Sequence, residues 1–282
     1  MRSVTRPFLK MNGLGNDFAV VRAADEAFRP SPEQVRRWAD RGSGIGFDQL
    51  IAIEPAQDRN KGADAFMRIW NADGGEVEQC GNAARCVAWL LMEAAGRDAV
   101  TMDTTGGLLR AERAGERRVT VDMGAPRLDW REIPLAEEMD TRGIELQVGP
   151  IDDPVLHTPG CVSMGNPHVV FFVPDVGSAP VREVGPLVEH HLLFPEGVNV
   201  GFAEIAGRDR IRLRVWERGA GETRACGTGA CAAAVAAHRR GLTDRAVSVE
   251  LPGGPLGIEW REGDGHVLMT GPVEVEFTGT LG

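Results

Sequence analysis

Short runs of β-branched and other apolar residues, bounded by Gly, Pro, Asn and Asp, recur along the chain. They predict strands over 18–22, 50–53, 66–70 and 118–123, and again over 168–173, 199–205 and 211–216. Further strand candidates lie at 246–251, 256–260 and 273–277. Four stretches predict helices, over 31–41, 82–95, 181–191 and 228–240. Ser31-Pro32-Glu33 puts a capping residue before a proline at the first helical position. Asn82 to Ala95 is rich in Ala, Leu and Met and stops at Gly96. Thr228 to Arg240 is Ala-rich, carries basic residues in its last turn and stops at Gly241. Single helices among many short strands indicate the α+β class.

The pattern is duplicated. Residues 67–84 (MRIWNADGGEVEQCGNAA) recur without a gap as residues 213–230 (LRVWERGAGETRACGTGA), and seven of the 18 positions are identical. Those seven are Arg68/Arg214, Trp70/Trp216, Gly75/Gly221, Glu76/Glu222, Cys80/Cys226, Gly81/Gly227 and Ala84/Ala230. Weaker echoes match Leu14–Val20 with Met164–Val170, and Gln49–Ile51 with Asn199–Gly201. A period of about half the chain means two copies of one plan. The fold expected is two pseudo-symmetric halves, each a curved, mostly antiparallel, barrel-like sheet around a central helix, with the active site in the cleft between them. Residues 1–126 form the first half, with Cys80, and 127–271 the second, with Cys226. The connection near 124–135 contains Gly and Pro.

Composition narrows the function classes. The 282 residues are 43% hydrophobic and 26% charged, which excludes a disordered chain or a fibre. No apolar run has the length of a membrane span, and residues 1–10 lack the apolar stretch of a secretory signal. The net charge of −10, with both signs interspersed, gives no basic footprint for nucleic acid. Five cysteines, an odd number, fit thiols in a reducing cytoplasm better than a disulfide framework.

Cys80 and Cys226 are the chemical candidates. Each lies just before a predicted helix, within Cys-Gly-Asn or Cys-Gly-Thr. Unbonded backbone N–H groups and the positive end of the helix dipole meet there, a setting that lowers a thiol pKa. The same N–H groups suit a substrate carboxylate. Two thiols facing each other across a cleft suit inversion of a carbon stereocentre: one removes a proton from one face, and the other returns a proton to the opposite face. Cys86, Cys161 and Cys231 read instead as buried small hydrophobes. The spacings Cys80-x5-Cys86 and Cys226-x4-Cys231 are not those of structural zinc sites, so no metal is expected. The glycines of 13–15 and 42–46 make neither GxGxxG after a strand nor a P-loop, and tight turns account for them. His168, alone at the start of an apolar run, reads as structural or catalytic. Glu217-Arg218, ahead of the second cysteine, reads as a solvated pair or a substrate-binding pair.

An ordered set of motifs spans nearly the whole chain: Lys10-Met-Asn-Gly-Leu-Gly-Asn-Asp-Phe18, Gly44-Ile-Gly-Phe-Asp-Gln49, Asn71-Ala-Asp-Gly-Gly-Glu76, Cys80-Gly-Asn82, Met164-Gly-Asn-Pro-His168, Val198-Asn-Val200 and the segment from Trp216 to Gly229. Together they resemble the diaminopimelate epimerases. That resemblance implies conversion of LL-2,6-diaminopimelate to the meso form in lysine and peptidoglycan precursor biosynthesis, without pyridoxal phosphate or any other cofactor, by a cytoplasmic homodimer. It implies Cys80 and Cys226 as the acid/base pair, with His168 and Glu217 supporting thiol activation. Asn16, Gln49, Asn71, Asn166, Asn199, Glu217 and Arg218 would bind substrate. Gly81-Asn82 and Gly227-Thr228 would hold the reacting carboxylate. It also implies that 272–282 packs back on the first half.

The sequence departs from the family pattern at three positions. Asn12 stands where a His is usual, Ala83 replaces the glycine of Cys-Gly-Asn-Gly, and Phe277 stands at the match of a tyrosine near the C-terminus. A related racemase of proline, hydroxyproline or histidine would keep both cysteines but would not need Asn71, Asn199 and Arg218 for a second amino acid end. A non-catalytic binding protein, or an isomerase of the same fold without the cysteine pair, would not need two thiols.

Overall fold

The structure is a computed structural model that describes residues 6–23, 28–57, 62–78 and 80–282. The leader reading at 1–5 and Gln79 of the repeat lie outside the described residues. Two compact units emerge. One holds the described residues up to Asp122 together with Thr270–Gly282, and the other holds Met123–Met269.

The first unit runs β1 (Arg6–Asn12), β2 (Asp17–Arg22), α1 (Pro32–Ala39), β3 (Gln49–Glu54), β4 (Ala65–Asn71), β5 (Glu76–Val77), α2 (Gly81–Ala95), β6 (Ala99–Thr104), β7 (Gly107–Gly115) and β8 (Arg118–Asp122). The second unit begins with a small ribbon, β9 (Gln147–Val148) and β10 (Leu156–His157). It then repeats the order with β11 (Gly160–Ser163), β12 (Pro167–Phe172), α3 (Val181–Glu189), β13 (Asn199–Gly207), β14 (Arg210–Glu217), β15 (Gly221–Thr223), α4 (Gly227–Arg239), β16 (Ala246–Leu251), β17 (Gly254–Trp260) and β18 (Val267–Pro272). The chain re-enters the first unit within β18, and β19 (Glu274–Leu281) pairs antiparallel with β1, from Arg6 opposite Leu281 to Asn12 opposite Glu274.

Pairing is duplicated along with order. β2 and β3 run parallel with Phe18 opposite Gln49, and β12 and β13 run parallel with His168 opposite Asn199. β3–β4 and β13–β14 are antiparallel, whereas β4–β6 and β14–β16 are parallel. The α+β class expected from the sequence is therefore observed, as a mostly antiparallel architecture with four short helices among the described residues.

The identities within the repeat have physical jobs. Arg68 of β4 bonds Glu76 of β5, and Arg214 of β14 bonds Glu222 of β15 at 2.7 Å. Each pair ties a hairpin whose exit leads, four residues later, to a cysteine and a helix. Trp70 packs edge-on to Phe28 in the first core, while Trp216 packs against the core around Phe171 and Phe202 in the second. The helices that follow are buried along most of their length. The run from Ala230 to Ala237, alanine apart from Cys231 and Val235, is slim enough to sit within its sheet, touching β11–β14, β16 and β17.

The sequence pattern misses β1, β5–β7, β9–β11, β15 and β18. In β1 the buried Lys10, bonded to Glu276 at 3.1 Å, interrupts the apolar signal. β7 has alternate exposed residues, and β5 and β15 are only two and three residues long.

α3 shows how closely the second unit is packed. A Cβ on Gly185 would lie 2.5 Å from the Trp216 ring. Gly185→Ala is expected to cost about 1–3 kcal/mol by overpacking, read as a lower urea midpoint at unchanged slope.

Candidate active site

Cys80 and Cys226 are the N-cap residues of α2 and α4, both in extended conformation (φ −145° and −116°). Their carbonyls accept the first helical bonds, from Ala84 N–H at 2.9 Å and Ala230 N–H at 3.0 Å. Neither thiol closes a capping hydrogen bond. Gly81-Asn82 and Gly227-Thr228 therefore form the opening turns, where the N–H groups and dipoles favour an anion. Cys80 is half-buried and Cys226 is 4% exposed. Cys86, Cys161 and Cys231 are fully buried, and burial drives the Cys86 thiol up to about 12.

In the first unit a polar chain runs beside Cys80. Arg85, fully buried in α2, donates to Asn82 Oδ1 at 3.0 Å. Asn82 Nδ2 reaches Asn16 Oδ1 at 3.4 Å, and Asn16 Nδ2 donates to Asp48 Oδ2 at 2.9 Å. Asp48 also accepts the Asp17 N–H at 2.9 Å and Arg41 Nη2 at 2.8 Å, so it anchors the turn that presents Asn16. Asn12 closes that turn from inside: its Oδ1 accepts Gly15 N–H at 2.7 Å and its Nδ2 donates to Asp17 at 2.9 Å. The turn needs such support because Leu14 sits at φ +68°. Gln49 Nε2 donates to Asn71 Oδ1 at 3.0 Å across β3 and β4. Gln49 Oε1 is buried with no protein partner, an acceptor suited to an ammonium group.

In the second unit Asn166 and Thr228 join at 3.4 Å, and the Thr228 hydroxyl lies 3.7 Å from the Cys226 sulfur. His168 Nε2 lies 3.1 Å from Asn166 Oδ1. Since the Asn166 amide nitrogen faces Thr228, the histidine donates there. Burial, then the Arg218 charge, lowers the His168 pKa to about 3, so its ring stays neutral at physiological pH. Asn199 spends both amide ends on the backbone, donating to Pro167 O at 2.8 Å and accepting Arg218 N–H at 3.0 Å. The Arg218 guanidinium is exposed and donates to Glu196 O at 2.8 Å. The site residues thus fall into two sets, one in each unit.

Glu217 accepts a hydrogen bond from the Thr223 hydroxyl. Burial raises its pKa, partly offset by donors from Thr223 and Cys226. Burial also pushes the Cys226 thiol well above the ordinary range, and the Glu217 charge adds to the rise. Thr228 and the Gly229 N–H, which leans toward the sulfur without closing a cap, counteract this in part. This corrects the sequence expectation of a helix start that favours thiolate: at Cys226 desolvation and a neighbouring carboxylate outweigh the helix dipole. These causes favour the protonated thiol at Cys226.

Several supporting residues escape sequence reasoning. Asp48 adjoins Gln49 in a motif whose amide alone attracts notice. Thr223 lies inside the repeat, opposite Val215 of β14. Arg85 stands at the repeat position of Cys231, a cation in an apolar helix, and that mismatch is a usable signal.

His168 gives a stability test. Its folded pKa lies below the unfolded 6.5, so the unfolded chain binds more protons between about 3 and 6.5, and stability falls as pH falls through that window. Urea unfolding of wild type against His168→Gln is expected to show a shallower pH 4–6.5 slope in the variant, by up to about 1.4 kcal/mol per pH unit. Parallel slopes would contradict a buried neutral ring.

The sequence comparisons show a family, and the structure comparison shows a shared fold. A family profile described as diaminopimelate epimerase matches residues 8–128 and 160–276. A diaminopimelate epimerase of Caulobacter vibrioides is 63% identical over 99% of this chain and 98% of that protein. One from Phenylobacterium zucineum is 62% identical over 98% of each. Among solved structures, a hydroxyproline epimerase from Agrobacterium vitis superposes with a TM-score of 0.69 at 16% identity, covering 99% of this chain and 93% of that one, a likeness of fold.

Proposed function

This chain belongs to the diaminopimelate epimerase family, and from that premise we propose that Cys80 and Cys226 carry out a two-base inversion at one α-carbon of diaminopimelate. Its reaction is the epimerisation of diaminopimelate between the LL and meso forms. The observation that carries the site assignment is the duplicated setting of the two cysteines, each the uncapped N-cap of a buried helix at equivalent places of the repeat.

In the proposed step one sulfur, as thiolate, takes the α-proton, and the C–H electron pair stays on the α-carbon. The other sulfur, as thiol, delivers its proton to the opposite face, leaving a thiolate behind. The sulfurs have then exchanged roles, and the reverse reaction uses the same pair. Because burial and the Glu217 charge push the Cys226 thiol up, we assign Cys226 the part of the acid in the resting enzyme and Cys80 that of the base. Charge that builds on the carbanion and carboxylate meets the N–H groups at Gly81-Asn82 and Gly227-Thr228, donors already oriented by their helices. No cofactor enters this scheme.

The remaining residues divide between binding and support. Gln49 and Asn71 offer amide groups, Asn16 sits beside Asn82, and the Arg218 fork suits the distal carboxylate. Asn166 adjoins Thr228 at the second turn. His168 acts through Asn166, as a positioning residue rather than a proton carrier, and Asn199 fixes the backbone of Arg218. A cytoplasmic homodimer completes the proposal; Phe277, half-exposed and edge-on to Phe8, occupies the place of the family's tyrosine.

Cys80→Ala and Cys226→Ala are each expected to lower epimerisation by about 100- to 10,000-fold at wild-type stability. Near wild-type turnover in either variant would refute the two-base assignment. Arg218→Ala is expected to raise KM for diaminopimelate about 10- to 100-fold, the worth of hydrogen bonds to a charged group, with a smaller change in kcat. An unchanged KM would place the distal carboxylate elsewhere. Glu217→Gln removes the negative charge beside Cys226, so the thiol would ionise at lower pH. The alkaline limb of the kcat/KM profile is expected to move down in pH, and an unmoved limb would contradict the Glu217–Cys226 coupling.

A further inference from the structure

We propose that Glu189, the last residue of α3, is a positioning residue that holds Glu217 and Arg218 in working geometry, an inference that rests on the epimerase reading above. Its side chain is only 7% exposed. A carboxylate so deep is costly unless strong donors meet it. Here two do: Trp216 Nε1–H donates to Oε2 at 2.7 Å, and Gly219 N–H donates to Oε1 at 2.8 Å. The residues grasped are the immediate neighbours of Glu217-Arg218. One carboxylate therefore fixes both ends of that dipeptide by charge-assisted bonds.

The surroundings complete the grip. Gly219 turns the chain at φ +75°. The Glu189 carbonyl accepts Val198 N–H at 3.2 Å, and the next residue, Asn199, accepts Arg218 N–H. The Arg218 side chain lies over Gly197, where a Cβ would come within 3.1 Å of its Cδ. On the other side, Gly185 lets Trp216 lie directly against α3. The exposed His190 ring lies 3.8 Å from Glu189 Oε1.

The first unit shows that the fold does not itself require this device. Its equivalent hairpin closes locally, with Asn71 N–H on Gly75 O and Gly75 N–H on Asp73 Oδ1. Trp70 packs among apolar rings, and α1 reaches the turn through the exposed Arg36, which donates to Asp73 O. That turn presents Asn71-Ala72. The buried carboxylate accompanies the turn that must hold two charged side chains still.

The experiment measures epimerisation of LL-diaminopimelate by wild type and Glu189→Gln across pH, with thermal stability in parallel. The glutamine keeps one acceptor oxygen but sets an NH₂ group against one of the two donors. Displacement of the dipeptide is expected to lower kcat/KM about 100-fold, the scale of a misplacement of about 1 Å. As Glu217 leaves Cys226, the alkaline limb is also expected to move to lower pH. Wild-type kinetics, or a loss that matches the unfolded fraction with the limb unmoved, would overturn the proposal and leave Glu189 a residue of the fold alone. If Glu189→Gln does not fold, Trp216→Phe removes one donor and keeps an aromatic ring against α3. A limb shift in the same direction supports the proposal, and a wild-type profile overturns it. Absence of turnover by the wild-type protein would instead overturn the epimerase reading, and this inference with it.

Discussion

A cysteine that begins a helix without capping it leaves the opening turn available to something else. The remaining construction of each unit serves that arrangement. The helix is buried along most of its length, which packs its first turn in place. Glycine follows the sulfur, so the backbone can approach a ligand closely. The hairpin ahead is tied by an Arg–Glu pair, Arg68 to Glu76 and Arg214 to Glu222, which fixes where the chain leaves the sheet. An α-proton is only weakly acidic, and a thiolate is a modest base. Donors already in place where charge develops are the means by which such a pair can work in water.

The two cysteine settings share a backbone plan but differ in charge. Around Cys226, desolvation and Glu217 favour the protonated thiol, while Thr223 holds the carboxylate in place. Beside the first turn a fully buried cation, Arg85, is linked to Asn82. Such asymmetry suits a two-base reaction, because a resting enzyme needs one proton on the pair rather than two or none. Glu189 extends the same logic: a buried negative charge, well supplied with donors, locates the residues that set the electrostatics at Cys226.

Much of this was legible in the sequence because duplication leaves identical residues at a constant offset. Cys80 and Cys226 stood out before any geometry was known, and Gly96 and Gly241 marked where their helices end. All four helices lie where the apolar spacing placed them, to within about two residues at each end, the usual uncertainty of helix limits. What stayed hidden depends on long-range partners. β1 reads poorly because Lys10 is buried, and Lys10 is tolerated only because Asp17 and Glu276 lie beside it. Asp48 and Glu189 look like ordinary surface acids in a string of letters. Their roles depend on which N–H groups the fold brings to them. The direction of the Cys226 shift was missed for the same reason: the helix start is visible in sequence, but the depth of the sulfur and the carboxylate beside it are not.

The most direct test of the central claim follows deuterium during the first turnovers. Reduced protein would be mixed with LL-diaminopimelate in D₂O and both isomers followed by proton NMR at low conversion. With two bases, the proton removed from one face is not the one delivered to the other. The meso product is then expected to carry deuterium at the inverted carbon while the remaining LL substrate keeps its protium. Equal early washout from both isomers, or meso product formed with its original proton, would contradict two-base chemistry at Cys80 and Cys226.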